Sequence, residues 1–183
     1  MDVMTPADAA SEQLEVPVAG RYLIDPAAST VAIRTRHLFG LGPVRATIAL
    51  RDGRIDVAAP PQASAVTAHF AASSFRSANP DRDAAVLSPR LLDAAAYPSL
   101  VFTSTELTEA HGQWSLRGKL EVRGVSRPVD ARILALSEQG GTLRATAEVA
   151  VDRYDFGITA YRGLAARRLT VHLDITAHRE SQS

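Results

Sequence analysis

Few residues in this chain have the types and spacing that chemistry requires. Its 183 residues include five histidines and no cysteine, so a thiolate metal site and a cysteine nucleophile are both excluded. The histidines never fall in the His-x-His or His-Glu-x-x-His spacing that brings two imidazoles to one metal ion. We therefore predict no metal site and no cofactor held by these residues.

One histidine differs from the others in its surroundings. His172 and His178 lie on the polar face of the last alternating segment, and His111 lies in a turn, so we expect all three to be solvated. His37 instead continues an apolar face that ends in residues 38–40. Two interpretations stay open for it: a core histidine with satisfied hydrogen bonds, or a polar contact at the mouth of a cavity.

The sequence lacks the common catalytic motifs. It contains no Gly-x-Ser-x-Gly elbow, no Gly-x-Gly-x-x-Gly fingerprint and no phosphate-binding loop. The remaining candidates for acid–base chemistry are Asp81, Asp83, Asp152 and Asp155. Their contexts indicate helix capping and ion pairs with Arg82 and Arg153 instead. We predict no catalytic residue, and a protein that is not an enzyme.

Arginines near the expected loops are the other groups that can hold a ligand. They are Arg76, Arg82, Arg90 and Arg162. A guanidinium group binds phosphate and similar anions in a forked geometry, so an anionic head group is one possible partner. The alternative is that these side chains only keep the surface soluble.

The elements that must position these residues are strands. From Tyr22 onward, apolar and polar residues alternate with a period of two, as in residues 169–175, which is typical of half-buried strands. Turn signals such as Asp52-Gly53 and Gly140-Gly141 separate the runs. About eight short antiparallel strands predict a sandwich or a closed barrel. A barrel of that size holds side chains or one small ligand.

One segment interrupts the strand pattern. Asn79 followed by Pro80 reads as an N-cap and a first helical residue. We predict a short helical insertion near residues 80–96, divided into two pieces by Pro89. Pro98 ends it, because the residue before a proline disfavours helical geometry.

Charge and composition exclude further classes of function. With 20 Lys and Arg against 20 Asp and Glu, the net charge is +0, which argues against a nucleic-acid partner bound through a broad basic field. No window approaches the ~18 apolar residues of a membrane-spanning helix. Residues 1–19 are acidic and have neither the basic start nor the apolar run of a secretory leader. We expect a disordered acidic arm over 1–19, a loose tail over 179–183 and a cytoplasmic protein.

Motifs spread over residues 20–178 carry a resemblance to a known family. They are Tyr22-Leu23-Ile24-Asp25-Pro26, Arg36-His37-Leu38-Phe39-Gly40, Asn79-Pro80-Asp81-Arg82-Asp83, Tyr97-Pro98-Ser99-Leu100-Val101-Phe102, Gly118-Lys119-Leu120-Glu121-Val122-Arg123-Gly124 and Asp152-Arg153-Tyr154-Asp155-Phe156-Gly157. Together they resemble the YceI-like family of polyisoprenoid-binding or lipid-binding proteins. Ala28 and Ala85 stand where that family has histidine, so head-group contacts from those two positions are not expected here.

The resemblance implies an all-β fold over residues 20–178: an eight-stranded antiparallel, lipocalin-like barrel with a short helical insertion. It also implies a long amphiphilic ligand inside the barrel, such as a polyisoprenoid, an isoprenoid quinone or a fatty-acid derivative. The predicted ligand-binding residues are Val31, Ile33, His37, Phe39, Phe70, Phe102, Trp114, Leu120, Val171 and Leu173.

The resulting hypothesis is a non-enzymatic carrier of that lipid, either as a monomer or as a homodimer. The alternative is a small enzyme that acts on a lipophilic substrate in the same cavity. It would need a perturbed acid or base there, and His37 is the candidate.

Overall fold

Antiparallel strands make up most of the molecule. The structure is a computed structural model that describes residues 14–36 and 43–181. The strands are β1 (Gly20–Ile24), β2 (Thr30–Arg36), β3 (Pro43–Val57), β4 (Ala65–Ser77), β5 (Ser99–Ala110), β6 (Gln113–Val122), β7 (Val125–Gln139), β8 (Thr142–Asp152) and β9 (Arg168–Arg179). The helix α1 spans Pro80–Leu87, and single 3₁₀ turns span Pro61–Ala63 and Arg153–Phe156. No helix in the described ranges is long and apolar enough to cross a bilayer.

The strands close into a barrel of eight positions. Neighbours follow the order β1-β3-β2-β9-β8-β7-β6-β5-β4, and β4 also pairs with β3. β1 and β2 run in the same direction and share one position in the barrel. Both pair with β3, Tyr22 with Ile55 and Ile33 with Ala46, and both pair with β9 on the other side. The predicted eight-stranded antiparallel barrel is therefore confirmed.

A local turn lets β1 and β2 share that position. The Asp25 carboxylate accepts hydrogen bonds from the Ala27 and Ala28 N–H groups, at 2.9 and 3.2 Å. The Ser29 hydroxyl accepts from the Thr176 N–H at 3.1 Å and lies 3.3 Å from its carbonyl oxygen. The side chains of Asp25 and Ser29 thus accept hydrogen bonds from backbone N–H groups at this turn, which would otherwise lack partners.

The helical insertion begins as the sequence predicts. The Asn79 side chain accepts a hydrogen bond from the Arg82 N–H at 3.0 Å, and Pro80 occupies the first turn. After Ser88 the chain forms turns instead of a second helical piece, so that detail of the prediction is wrong. Ser88 precedes Pro89 and is extended, with ψ 164°, and the turns are closed by bonds such as Tyr97 N–H to the Asp93 carbonyl at 2.8 Å.

The described ends of the chain lie against the barrel. In the predicted arm 1–19, residues 1–13 lie outside the described residues, whereas the Glu15 N–H donates to the Leu136 carbonyl at 3.1 Å. Within the predicted tail 179–183, Arg179 ends β9 and the Glu180 N–H donates to the Arg21 carbonyl at 2.8 Å. Residues 14–19 and 179–180 therefore contact the barrel.

Candidate ligand-binding cavity

The barrel encloses an apolar cavity of about 560 Å³. Of the 50 described residues that line it, only five have polar side chains: Thr35, Ser64, Arg82, Arg153 and Tyr161. No described lining residue is an aspartate, a glutamate or a histidine. An interior of this kind binds by excluding water from apolar surface, and its few polar groups can orient a ligand.

Most of the predicted ligand-binding residues line this cavity. They are Val31, Ile33, Phe70, Phe102, Trp114, Leu120, Val171 and Leu173. The other two, His37 and Phe39, lie outside the described residues. The period-two alternation of the strands had assigned these eight side chains to the inner face. Their contact with a ligand stays a prediction.

Small side chains help to keep the interior open. Alanine is the inward residue at several wall positions: Ala46, Ala68, Ala131, Ala145 and Ala147. An alanine fills less of the barrel than the leucine or phenylalanine that packs a solid core. These inward alanines therefore contribute directly to the volume of the cavity.

A glycine on β6 determines where one aromatic ring lies. A Cβ atom added to Gly118 would lie well inside van der Waals contact of the Phe102 ring and 2.7 Å from the Thr103 carbonyl oxygen. The ring can pack over the bare backbone only because no side chain is present. A larger residue at 118 would displace Phe102 from this place in the cavity wall.

One end of the barrel, which we call the floor, is closed by tight packing. It consists of Tyr22, Leu143, Ala177 and the segment 14–19; the first three are 0%, 1% and 0% exposed. The Tyr22 hydroxyl donates a 2.7 Å hydrogen bond to the Val18 carbonyl. Burial, with help from the negative charge of Glu138, raises the pKa of the Tyr22 phenol.

The other end, which we call the cap, consists of residues 78–98 and 153–167. The loop 153–167 is held by Arg153, which is 7% exposed. The Arg153 Nε donates to the Ala166 carbonyl at 2.8 Å. The Arg153 Nη1 donates to the Ile158 and Ala160 carbonyls at 2.9 and 2.8 Å, and the Nη2 to the Ala165 carbonyl at 3.2 Å. One side chain thus ties the loop to the end of β8.

The predicted pairing of Arg153 with a neighbouring aspartate is wrong. Asp152 instead accepts from the Arg167 Nε at 2.7 Å and caps the Tyr154 N–H at 3.0 Å. Burial lowers the pKa of Arg153, but a guanidinium keeps its proton in proteins. The cap therefore contains a buried positive charge whose hydrogen bonds go to carbonyl groups.

Two tyrosine rings of the cap are in contact with arginine side chains. The guanidinium carbons of Arg153, Arg162 and Arg167 lie 5.1, 5.2 and 4.9 Å from the centre of the Tyr154 ring. Arg90 lies 5.7 Å from the centre of the Tyr161 ring. Each such contact adds cation–π stabilisation and concentrates positive charge at this end.

The candidate arginines separate into two groups. Arg82 lines the cavity, and its side chain donates to the Ser77 hydroxyl at 3.3 Å. Arg76 lies on the outer wall, where it donates to the Ser73 and Phe75 carbonyls. Arg90 and Arg162 contact the tyrosine rings of the cap. Only Arg82 of these four lies in the wall of the cavity.

The other titratable groups that the sequence singled out, among the described residues, do not line the cavity. Asp83 accepts bonds from the Ser77 N–H and hydroxyl at 2.8 and 2.7 Å. His172 and His178 lie 3.4 Å from carboxylate oxygens of Glu148 and Asp25. Within the described ranges, no three His, Cys, Asp or Glu side chains converge as metal ligands would.

The comparison with known families assigns the chain. The family model of the YceI-like domain matches residues 22–177. The chain belongs to the YceI-like family. Two UPF0312 proteins, from Pectobacterium carotovorum and Pectobacterium atrosepticum, are 27% identical over 125 residues, or 66% of this chain. The chain covers 65% of the length of each of these relatives.

Solved structures of similar proteins have the same fold. BcnA of Burkholderia cenocepacia has a TM-score of 0.73 at 17% identity, covering 84% of this YceI-like chain and 98% of BcnA. A polyisoprenoid binding domain from Saccharophagus degradans, implicated in plant cell wall breakdown, has a TM-score of 0.66 at 12% identity, covering 87% and 98%. The YceI protein of Campylobacter jejuni reaches 0.58 at 19%, covering 69% and 80%.

Arg153 is the site residue that sequence reasoning missed. It follows the last strand residue of β8, where the period-two pattern stops and gives no inward or outward assignment. Its neighbours Val151, Phe156 and Ile158 are all buried. Residues 151–157 mix apolar side chains with Asp152 and Asp155, so nothing in the sequence marked this arginine as buried.

Proposed function

We propose that this protein is a non-enzymatic carrier that holds the tail of a long amphiphilic lipid inside its barrel. The occupant would be a polyisoprenoid, an isoprenoid quinone or a fatty-acid derivative. The observation that carries the proposal is the apolar lining of the cavity, to which the described residues contribute no carboxylate and no imidazole.

The energetics of such a cavity suit an apolar tail. Each buried methylene group contributes about 0.8 kcal/mol, so about 16 of them contribute roughly 13 kcal/mol. Association costs of ~4–15 kcal/mol oppose this. At the lower part of that range, the remainder reaches the roughly 8 kcal/mol of micromolar binding.

The lining also favours a carrier over an enzyme. General acid–base catalysis needs a group whose pKa lies near the working pH, and the titratable side chains among the described lining residues are Arg82, Arg153 and Tyr161. Histidine, glutamate and aspartate, which most often serve as the general acid or base, are not among the described lining residues. The polyisoprenoid binding domain of Saccharophagus degradans supports the choice of ligand class through its shared fold.

The test is native mass spectrometry of the purified protein, followed by solvent extraction and identification of the extract. We expect an adduct whose mass matches an extracted lipid, or uptake when farnesol or oleyl alcohol is added to the protein. A clean mass without uptake would contradict the proposal.

A pair of variants on β8 links the binding to the cavity. Ala147 lines the cavity, whereas Ala150, three residues later, is exposed on the outer face. Ala147→Trp fills part of the interior and should weaken lipid uptake about tenfold or more, because the lost space excludes several methylene groups. Ala150→Trp is the matched control and should bind as the wild type does. Equal binding by both variants would place the ligand elsewhere.

A further inference from the structure

Positive charge lies at one end of an otherwise apolar cavity. The two charged residues among its described lining are both arginines, Arg82 and Arg153. Both belong to the cap, and no carboxylate of the described residues lines the cavity to balance them. A cavity with one charged end is suited to a ligand with one charged end.

The charge of Arg153 is balanced only in part. The carbonyl groups of the loop satisfy its N–H donors, but carbonyl dipoles do not cancel a full unit of charge. The nearest carboxylate in sequence, Asp152, is paired with Arg167 at 2.7 Å. Because the interior has a low dielectric constant, this charge acts on the cavity more strongly than it would in water.

Arg82 provides hydrogen-bond donors at the cavity wall. It lies in the first turn of α1 and is partly buried, and its described side-chain partner is the Ser77 hydroxyl at 3.3 Å. The next residue, Asp83, directs its carboxylate to Ser77 instead. Of the five N–H donors of a guanidinium, most therefore have no bond to the described residues.

The outer wall of the barrel shows a different pattern. There, several exposed arginines are paired with carboxylates across strands, as in Arg21 with Asp56 at 2.8 Å and Arg117 with Asp130 at 3.0 Å. The cap as a whole is nearly neutral, since residues 78–98 and 153–167 contain five arginines and four aspartates. Neither Arg82 nor Arg153 forms an ion pair within the described residues, so the positive charge at this end of the cavity is that of these two side chains.

We propose that the ligand has an anionic head group, a carboxylate or a phosphate, which lies at the cap and is bound directly by Arg82. The buried charge of Arg153 stabilises the anion from behind the wall. This inference rests on the proposed function, since it assumes that the tail occupies the cavity. Hydrogen bonds between arginine and an anion are stronger than those with a neutral group, so the anionic form of a given lipid should bind more tightly.

The experiment compares lipids that share a tail and differ in the head group. Oleate is paired with oleyl alcohol, and farnesyl phosphate with farnesol, each displacing the neutral fluorescent probe N-phenyl-1-naphthylamine at pH 8. We expect the anionic member of at least one pair to bind about tenfold more tightly. The pair that shows this preference distinguishes a carboxylate ligand from a phosphate ligand.

Two arginine variants assign the preference to the cap. Arg82→Gln should reduce the preference to about twofold or less. The neutral lipids should still displace the probe, because the tail contributes most of their binding, and this shows that the barrel is intact. Arg144→Gln removes an exposed arginine of β8 at the opposite end of the barrel and should retain the full preference.

The outcomes separate this inference from the carrier function. Equal affinity within both pairs, or a preference that survives in Arg82→Gln, would overturn the anionic head group and leave the carrier in place. Displacement of the probe by none of the four lipids would overturn both.

Discussion

The floor and the cap close the same barrel by different physical means. At the floor, Tyr22 and Leu143 are almost completely buried and fill the space between the strands. At the cap, one guanidinium binds four loop carbonyls, while Leu164 of the same loop is 65% exposed. The start of the cap loop is packed as well, because Phe156 and Ile158 are buried with Leu91 and Leu92 against them. The rest of the loop is held by the directional hydrogen bonds of Arg153, which fix its position without filling the space beneath it. We therefore expect a ligand to enter through the cap.

The largest effect should come from the floor. Leu143→Ala removes a fully buried side chain and should lower the free energy of unfolding by about 2–5 kcal/mol. Leu164→Ala in the cap is the matched control and should change it by less than about 0.5 kcal/mol, because that leucine is mostly exposed. Denaturant unfolding measures both variants. Similar losses from the two leucines would contradict the difference drawn between the ends.

A smaller and more local effect is expected at the cap. Arg153→Met leaves the loop carbonyls without a partner, but the loop can open and rehydrate them, so we expect a loss of global stability of about 1–2 kcal/mol. Hydrogen exchange should accelerate in residues 158–166 and stay unchanged at the floor. Arg162→Met removes a cation from the Tyr154 ring without touching those carbonyls and should leave the exchange unchanged. Faster exchange throughout the barrel would show that Arg153 supports the whole fold.

The smallest effect should come from an ion pair near the floor. The Asp56 carboxylate accepts a hydrogen bond from Arg21 and lies near the charge of Arg54. Both lower the pKa of Asp56 below its usual value, and the hydrogen bond has the larger effect. The stabilisation is therefore present above the unfolded-state pKa and is lost as the pH falls through the lower, folded-state value. Because the pair is exposed to solvent, Asp56→Asn at pH 7 should lower the Tm by less than about 2 °C. A larger change would mean that charge, as well as packing, closes the floor.

Much of the fold could be predicted from the sequence, because apolar and polar residues alternate along a strand that has one buried face. The inward assignment of Val171 and Leu173 followed from parity alone, and Asn79-Pro80 marked the start of α1. The sharing of one barrel position by β1 and β2 could not be predicted, since residues 25–29 have the composition of any turn.

The cap was the least predictable part of the site. Arg153 binds backbone carbonyls, and a carbonyl has no sequence signature, whereas the adjacent Asp152 and Asp155 suggested an ion pair. Whether Arg82 reaches the cavity depends on how the helical insertion folds over the barrel, and the local sequence pattern does not specify that. Tertiary placement of loops, and not the strand pattern, determines the polar part of this cavity.

The bare backbone at Gly118 has a consequence for ligand choice in a carrier. Because the Phe102 ring lies over it, the room available to a tail at that depth depends on the size of one residue in a neighbouring strand. In the proposed carrier, a side chain there would shift the Phe102 ring and, through the Thr103 carbonyl oxygen, the backbone of β5, while Arg82 stayed unchanged. The proposal thus assigns the room for the tail and the contact with the head group to different residues.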